Sequence, residues 1–204
     1  RMRFFPFMIF IFIWVLVIYS PVAHWVWGGG WIQQLGALDY AGGTVVHITS
    51  GISGLVLAIM IGSGKKVEKI KPHNLLIALI GGILVWMGWY GFNTGSAFAF
   101  NSVALTSFIN TVIAASGGAF GWLVFEYIIT KKLSLLGLLS GVLAGLVTIT
   151  PAAGYVTTLS AYIISIVGGI FCYIVINHIK EKYKYNDTLD AFGIHGVGGI
   201  IGAI

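Results

Sequence analysis

The sequence predicts an all-α, polytopic membrane protein, and its composition, its apolar runs and its charge map all support this fold class. Of its 204 residues, 58% are hydrophobic and only 8% are charged, whereas soluble domains carry about 25% charged residues. A soluble protein of this composition would have to expose a largely apolar surface to water. The composition therefore excludes a soluble globular enzyme, a nucleic-acid-binding protein and a disordered chain.

Seven apolar runs are candidates for membrane-spanning helices, which need about 20 residues to cross the hydrocarbon core. They lie near residues 4–19, 44–62, 74–92, 103–129, 135–153 and 159–179, and the seventh begins near residue 191. We therefore expect a single transmembrane domain over residues 1–204, with about seven spans. Because the first run lacks a start methionine and the last run is cut short, we expect a fragment that is open at both ends.

The first run also resembles a secretory signal peptide, because two arginines precede it and a Ser-Pro-Val-Ala segment follows it. The charge map favours a true span. All 11 Lys and Arg residues lie before run one or between runs two and three, four and five, or six and seven, and loops 20–43, 93–102 and 154–158 contain none. This alternation is what the positive-inside rule predicts for seven spans with cytoplasmic basic loops. The net charge of +5 therefore reflects topology and needs no nucleic-acid partner.

Glycines four residues apart recur within the apolar runs. The pairs are Gly91/Gly95, Gly117/Gly121, Gly141/Gly145 and Gly198/Gly202. Small residues at this spacing let helices approach closely within a membrane, so tight helix packing is the expected role. The single cysteine, Cys172, excludes an internal disulfide and a cysteine metal site.

Two segments of the chain repeat each other. His47-Ile-Thr-Ser-Gly-Ile-Ser-Gly54 and His195-Gly-Val-Gly-Gly-Ile-Ile-Gly202 share a histidine, then glycine, isoleucine and glycine at offsets four, five and seven. They open runs two and seven, which are five spans apart, and a step of an odd number of spans means that they point in opposite directions. This arrangement predicts an inverted-topology repeat, whose substrate site lies near the midplane of the membrane. We expect the two halves to meet near residues 62–73.

The repeated histidines admit three interpretations. An ionisable residue inside a span indicates a functional site, and His47 and His195 enter the bundle from opposite faces. They could instead be neutral histidines bonded to nearby carbonyls, or two ligands of a metal. A catalytic zinc normally needs three protein ligands, so no metal site is predicted. Asp39 and Asp190 precede the two repeats, where a carboxylate often caps backbone N–H groups.

Aromatic residues cluster on the predicted outer side. Residues 24–31 read His-Trp-Val-Trp-Gly-Gly-Gly-Trp, which we take as an external loop, and Trp89-Tyr-Gly-Phe-Asn-Thr-Gly-Ser96 closes run three. An interfacial aromatic belt explains most membrane tryptophans. A cation-binding aromatic cage is the alternative, because tryptophan is the best cation–π partner. Composition alone does not choose between the two.

Motifs along nearly the whole chain resemble the ammonium transporter family, with its methylammonium permease and Rhesus relatives. They are Ala-His-Trp-Val-Trp-Gly-Gly-Gly (23–30), Leu-Asp-Tyr-Ala-Gly-Gly-Thr-Val-Val-His-Ile (38–48), Gly-Trp-Tyr-Gly-Phe-Asn-Thr-Gly-Ser-Ala (88–97), a glycine-rich segment (134–155) and Asp-Ala-Phe-Gly-Ile-His-Gly-Val-Gly-Gly-Ile (190–200). The resemblance implies an eleven-span fold with inverted five-span repeats, of which this chain runs from the fourth span into the tenth. It also implies a homotrimer with one pore per subunit.

The resemblance implies roles for individual residues on the outer side. Trp27 and Ser96 resemble members of an ammonium recruitment site. Asp39 resembles the aspartate that holds the outer vestibule in shape and helps to bind the cation. Asp190, taken as its counterpart on the inner side, is expected to be structural.

The same resemblance implies roles within the pore. Phe92 resembles one of two stacked gate phenylalanines, and the other would lie upstream of this chain. His47 and His195 resemble the paired pore histidines.

These residues suit the transport of ammonium as neutral ammonia through an apolar pore of a multi-pass plasma-membrane protein. We expect no enzymatic activity, no cofactor, no metal and no nucleic acid, and we expect membrane lipid and a cytoplasmic regulatory protein as partners. The alternative function is an ammonium sensor coupled to a cytoplasmic signalling domain. An intramembrane metalloenzyme is disfavoured because no third ligand lies at a suitable spacing.

Overall fold

The computed structural model describes residues 3–62 and 74–204, which are helical and contain no strand. The helices are α1 (Phe4–Trp14, Val15–Tyr19 and Ser20–Trp27), α2 (Trp31–Gln34), α3 (Gly43–Ile61), α4 (Leu75–Gly95), α5 (Ser102–Thr130), α6 (Leu135–Ile149), α7 (Thr158–Tyr183) and α8 (Phe192–Ala203). The all-α fold class is therefore confirmed. Most of the predicted junction between repeat halves, residues 63–73, lies outside the described residues.

Five helical segments of the described chain are long and apolar enough to cross a membrane. They are Phe4–Gln34, which α1 and α2 form together, and α3, α4, α5 and α7. The other two predicted spans are shorter apolar helices, α6 and α8. The predicted run 135–153 was too long, because α6 ends at Ile149 before Thr150 and Pro151, and a proline cannot donate the next helical hydrogen bond.

The predicted outer loop at residues 24–31 was partly wrong, because α1 continues through the apolar run to Trp27. Pro21 does not interrupt it and lies just after the π-helical turn Val15–Tyr19, where the backbone hydrogen-bonding pattern already departs from that of a regular α-helix. The helix ends at the glycines that follow, where Gly29 adopts a φ of +82° that L side chains rarely adopt. Trp27 is therefore held on the end of a helix.

Helices α5, α6 and α7 form the core of the described chain. A Cβ at Gly118 of α5 would collide with the Gly145 backbone of α6, and one at Gly121 would collide with the backbone of α7. The close packing expected of the glycine pairs in α5 and α6 is thus confirmed. At Gly91 and Gly95, in contrast, a Cβ would meet no atom of the described residues within 4 Å.

Helices α3 and α8, which carry the two histidines, cross in antiparallel directions. Gly54 faces Ala191, Gly51 lies against Gly196, and further back along α3 the Gly43 carbonyl faces Gly199. Residue numbers therefore rise along one helix as they fall along the other. This crossing brings the first turns of the two repeated segments together.

Candidate functional site

The two repeated histidines meet directly. His47 lies in the π-helical first turns of α3 and His195 in the corresponding π-helical turn of α8. Their Nδ1 atoms are 3.2 Å apart, within hydrogen-bond distance. Of the sequence-based interpretations, the arrangement matches a bonded pair of imidazoles rather than two separate histidines bonded to carbonyls.

The hydrogen bond between the histidines restricts their protonation. One Nδ1 must carry the proton and the other must accept it. When both rings are neutral, the donor ring has a bare Nε2 and the acceptor ring carries its proton on Nε2. The Nε2 atom of His47 is buried and has no hydrogen-bond partner in the described chain. The pair thus offers one hydrogen-bond acceptor and one donor at its outer edges.

Aromatic rings enclose the histidine pair. The Trp89 ring stacks on His47 with centroids 5.2 Å apart, and the Phe92 ring lies 6.1 Å from His47. The Trp89 indole is itself fixed, because its Nε1 donates a 3.0 Å hydrogen bond to Thr150 Oγ1. The role of Trp89 was not recognised from the sequence, although it stands three residues before Phe92, on the same face of a helix.

A cavity of about 310 Å³ lies against the histidine pair. It is lined by Val46, His47, Ser50, Val85, Gly88, Trp89, Phe92 and His195. Most of these side chains are apolar, so a polar molecule in the cavity has few hydrogen-bonding partners. The cavity brings together Phe92, His47 and His195, three of the residues identified from the sequence.

Asp39 is buried and its carboxylate is fully engaged by backbone N–H groups. Oδ1 accepts hydrogen bonds from Gly42 and Gly43, and Oδ2 accepts them from Thr44 and Val45, at 2.6–3.2 Å. A carboxylate at a helix N-terminus both satisfies the orphan donors and interacts favourably with the helix dipole. Asp39 therefore fixes the start of α3, which carries His47 about one turn later.

Trp27 and Asp39 are joined on the predicted outer side. The Trp27 indole Nε1 donates a 2.7 Å hydrogen bond to the Asp39 carbonyl oxygen. The Trp27 ring is 42% exposed, so its face remains available to a ligand.

Ser96 lies at the end of α4, on the helix that carries Phe92. Its hydroxyl donates a 3.0 Å hydrogen bond to the Phe92 carbonyl oxygen. This bond uses the hydroxyl proton and leaves the oxygen lone pairs free to accept. The structure thus links Ser96 to Phe92 through the helix backbone, and no described contact joins Ser96 to Trp27.

Asp190 lies apart from the histidine pair and forms an ion pair with Lys180. Burial raises the pKa of Asp190 above its ordinary value, and the hydrogen bond and charge of Lys180 act in the opposite direction. Burial, with the nearby charges of Asp187 and Asp190, also raises the pKa of Tyr185 to about 12. Asp190 adopts a φ of +55°, a conformation that aspartate tolerates better than most residues.

Asp187 was not recognised from the sequence, yet it makes the contact that corresponds to that of Asp39. It is buried, and its Oδ2 accepts a 2.8 Å hydrogen bond from the Phe192 backbone N–H at the start of α8. The available signal was spacing: Asp187 precedes His195 by eight residues, as Asp39 precedes His47. Asp190, which we took as the counterpart of Asp39, is five residues away from His195.

The residues described here contain no cluster of three or more His, Cys, Asp or Glu side chains that could hold a metal ion. Cys172 is buried, with its Sγ 3.9 Å from the Ile194 carbonyl oxygen.

Comparison with known proteins matches the whole chain to one family. A model described as the Ammonium Transporter Family matches residues 1–204. The ammonium transporter of Bacillus subtilis is 55% identical over 204 residues, which are 100% of this chain and 50% of that protein. The ammonium transporter MEP2 of Saccharomyces cerevisiae is 43% identical over 212 aligned residues, covering 100% of this chain and 42% of that protein. The chain thus spans about half the length of the curated relatives it matches.

Solved structures share the fold. The crystal structure of Saccharomyces cerevisiae Mep2 superposes with a TM-score of 0.91 at 43% identity, covering 98% of this chain and 47% of that one. A structure described as a sensor Amt protein superposes with a TM-score of 0.92 at 34% identity, covering 100% of this chain and 54% of that one.

Proposed function

The chain belongs to the ammonium transporter family, and on that basis we propose that the protein of which it forms a part moves ammonium across a membrane. Membership of this family makes it a multi-pass membrane protein. The observation that carries the proposal is the 3.2 Å contact between His47 and His195 beside an apolar cavity. The proposed activity is transport rather than catalysis, at the plasma membrane, with no cofactor.

Energetics favour passage of neutral ammonia over passage of the cation. Moving a bare cation into a low-dielectric interior costs tens of kcal/mol by Born estimates, and several kcal/mol in real proteins. Removing a proton from an amine of pKa roughly 9–10 at pH 7 costs only about 3–4 kcal/mol. The cheaper route is therefore to bind ammonium outside, deprotonate it, and pass ammonia through the pore.

The outer residues are assigned to recruitment of the cation. The exposed face of Trp27 attracts ammonium by a cation–π interaction. The free lone pairs of the Ser96 hydroxyl accept a hydrogen bond from one N–H group of the ammonium ion. Asp39 contributes by fixing the start of α3 and by adding negative charge near the site. Its carboxylate already accepts four backbone N–H groups, so direct coordination of the cation is not its proposed role.

The pore residues are assigned to exclusion and conduction. Phe92, beside the histidines, blocks hydrated ions such as sodium and potassium. The His47–His195 pair offers ammonia one acceptor and one donor, and the bond between the rings provides a route for a proton.

An ammonium sensor is the second candidate function. The specific observation that favours it is the TM-score of 0.92 with the structure described as a sensor Amt protein. A sensor would retain the outer recruitment site and couple it to a cytoplasmic signalling domain. Binding without flux would distinguish a sensor from a transporter.

The proposal extends to the arrangement of the repeats and to the assembly and partners of the protein. We propose that α3 and α8 are equivalent helices in the two halves of an inverted repeat that meet near residues 62–73, and their antiparallel crossing supports this. A homotrimer, contacts with membrane lipid and a cytoplasmic regulatory protein are proposed from family membership. Asp190, which pairs with Lys180, is assigned a structural role rather than one in recruitment or conduction.

The test uses the full-length protein in liposomes on a solid-supported membrane, with a pulse of ammonium. We expect a transient current or an ammonia-driven pH change in the wild type. Replacement of either histidine, His47→Ala or His195→Ala, should lower the flux at least about tenfold, because it removes a partner in the pore. His178→Ala is the matched control, since this histidine is exposed and does not line the cavity. A wild type without flux would contradict the transporter function, and retained ammonium binding would then favour a sensor.

A further inference from the structure

Ser50 contributes a hydroxyl to the cavity beside the histidine pair. Its side chain lines the same cavity as His47, His195 and Phe92. Family membership assigns no role to this position in the chain, and the sequence motif alone gave no reason to single it out. The other walls of this cavity are mainly apolar.

The hydrogen bonding of Ser50 leaves it able to accept. Its Oγ donates a 3.2 Å hydrogen bond to the His47 carbonyl oxygen, which uses its only proton. No group in the described chain donates a hydrogen bond to Ser50 Oγ. Two lone pairs on this oxygen are therefore unused, and a hydroxyl in an apolar cavity is costly when its hydrogen-bonding capacity is unmet.

The other polar groups that line the cavity offer one acceptor between them. The Trp89 indole N–H is already bonded to Thr150 and can only donate. His47 and His195 are bonded to each other through Nδ1, which leaves the neutral pair one bare Nε2 as an acceptor. Ser50 adds a second acceptor to the cavity wall, and its free capacity is for an N–H donor.

The position of Ser50 along α3 places it inward of His47 and at the depth of His195, because the next residue, Gly51, lies against the His195–Gly196 backbone. Ser50 lies three residues beyond His47, a rise of about 4.5 Å along the helix axis. Because α3 begins on the predicted outer side, Ser50 lies deeper than His47. Val85 lies seven residues before Phe92 on α4, which runs in the opposite predicted direction. Phe92 therefore marks the outer end of the cavity, and Val85 and Ser50 mark its inner end.

We propose that Ser50 Oγ is a further binding site for ammonia, accepting a hydrogen bond from one of its N–H groups as the molecule moves from His47 past His195 towards the cytoplasm. The proposal rests on the transport function proposed above. Ammonia that leaves His47 gives up the hydrogen bond that it made there. An acceptor one turn further inward, beside His195, replaces that bond and lowers the barrier to passage.

Removal of the Ser50 hydroxyl should change the flux in opposite directions under two explanations of its role. Ser50→Ala enlarges the cavity, so a hydroxyl that only narrows the pore predicts a higher flux. A hydroxyl that binds ammonia predicts a lower flux, by about 3- to 10-fold for one lost hydrogen bond to a neutral group. Since recruitment takes place outside Phe92, the maximal flux should fall while the apparent affinity for ammonium stays close to that of the wild type.

The test measures ammonium-driven currents for the full-length protein in liposomes over a range of ammonium concentrations. Ser50→Ala should lower the maximal current, and Ser50→Thr, which keeps the hydroxyl, should restore most of it. Thr49→Val is the matched control, because the Thr49 hydroxyl bonds the Val45 carbonyl on the same helix and does not line the cavity.

Three outcomes would overturn the assignment. An unchanged or higher current in Ser50→Ala, with a conducting wild type, rejects Ser50 as a binding site and leaves the transport function intact. Equal losses in Ser50→Ala and Ser50→Thr indicate a packing role and also reject it. A wild type without current rejects the transport function and the Ser50 site together.

Discussion

Gly51 and Gly196 contact each other backbone to backbone at the crossing of the two histidine-bearing helices. A Cβ at Gly51 would collide with the Gly196 backbone nitrogen. On the other helix, a Cβ at Gly199 would come 3.1 Å from the Cβ of His47. The glycine four residues after each histidine is thus a point of contact between the helices. These contacts set the separation of the two imidazole rings.

Gly51→Ala should therefore push α3 and α8 apart and weaken the bond between the histidines. Overpacking of this kind costs about 1–3 kcal/mol, and a displacement near 1 Å at a functional site lowers its activity by about 10- to 100-fold. The measurement is ammonium flux in liposomes, together with the thermal unfolding midpoint of the detergent-solubilised protein.

Gly54→Ala is the control for this prediction, since it lies on the same helix and its new Cβ would meet only the Ala191 methyl group, at 3.2 Å. It should retain most of the flux. Equal flux in Gly51→Ala and the wild type would show that the glycine contact does not set the histidine separation.

Asp39→Ala should destabilise the protein, because it leaves four buried backbone N–H groups at the start of α3 without an acceptor. We expect a loss of about 2–4 kcal/mol in the free energy of unfolding. Asn101→Ala is the comparison, since Asn101 caps α5 through a single 3.0 Å hydrogen bond and should cost about 1 kcal/mol. Denaturant unfolding in detergent measures both, and equal losses would contradict a capping role for all four contacts of Asp39.

Trp27→Leu should weaken the apparent affinity for ammonium, because it removes the ring face that is proposed to attract the cation. A cation–π interaction of about 0.5–2 kcal/mol corresponds to a loss of about 2- to 30-fold in affinity. Trp25→Leu is the control, as the Trp25 ring lies 6.0 Å from Trp31 and has no proposed contact with the cation. The concentration dependence of the transport current measures the effect, and an unchanged dependence in Trp27→Leu would reject the recruitment role.

The membrane spans and the histidine pair were predictable because both depend on local patterns. Apolar runs separated by lysines fix the approximate helix positions, and the repeated motif places His47 and His195 at equivalent positions. The helix ends were less predictable. The aromatic residues before Gly28 were predicted to form a loop, whereas α1 continues through them to Trp27. The helix ends only at the glycines that follow.

Contacts between distant parts of the chain were not predictable from local patterns. Thr150 lies beyond the end of α6, and nothing in its neighbourhood indicates that its hydroxyl accepts from Trp89, 61 residues away. The role of Asp187 required a comparison of spacings between two repeats rather than residue types within one. Gly91 and Gly95 have the spacing of packing residues, yet no described helix lies against them.

Asp190→Asn should raise stability near neutral pH, and the gain should shrink as the pH falls. Burial raises the pKa of Asp190 in the folded protein above the ordinary value of 3.8, although Lys180 opposes this. The folded state therefore binds the proton more tightly than the unfolded state. The stability that this residue contributes is fully present below pH 3.8 and is lost as the pH rises through the raised pKa. Asparagine resembles the protonated carboxyl in shape, does not titrate, and tolerates the positive φ at this position.

Unfolding midpoints at about pH 4 and pH 7 test this prediction, with Lys180→Met as the matched control. Removing the lysine takes away the cation that opposes burial, so the loss of stability between the two pH values should become larger than in the wild type. An Asp190→Asn protein that is less stable than the wild type at pH 7 would contradict the prediction. In that case the attraction of Lys180 for the charged carboxylate would outweigh the cost of burying it.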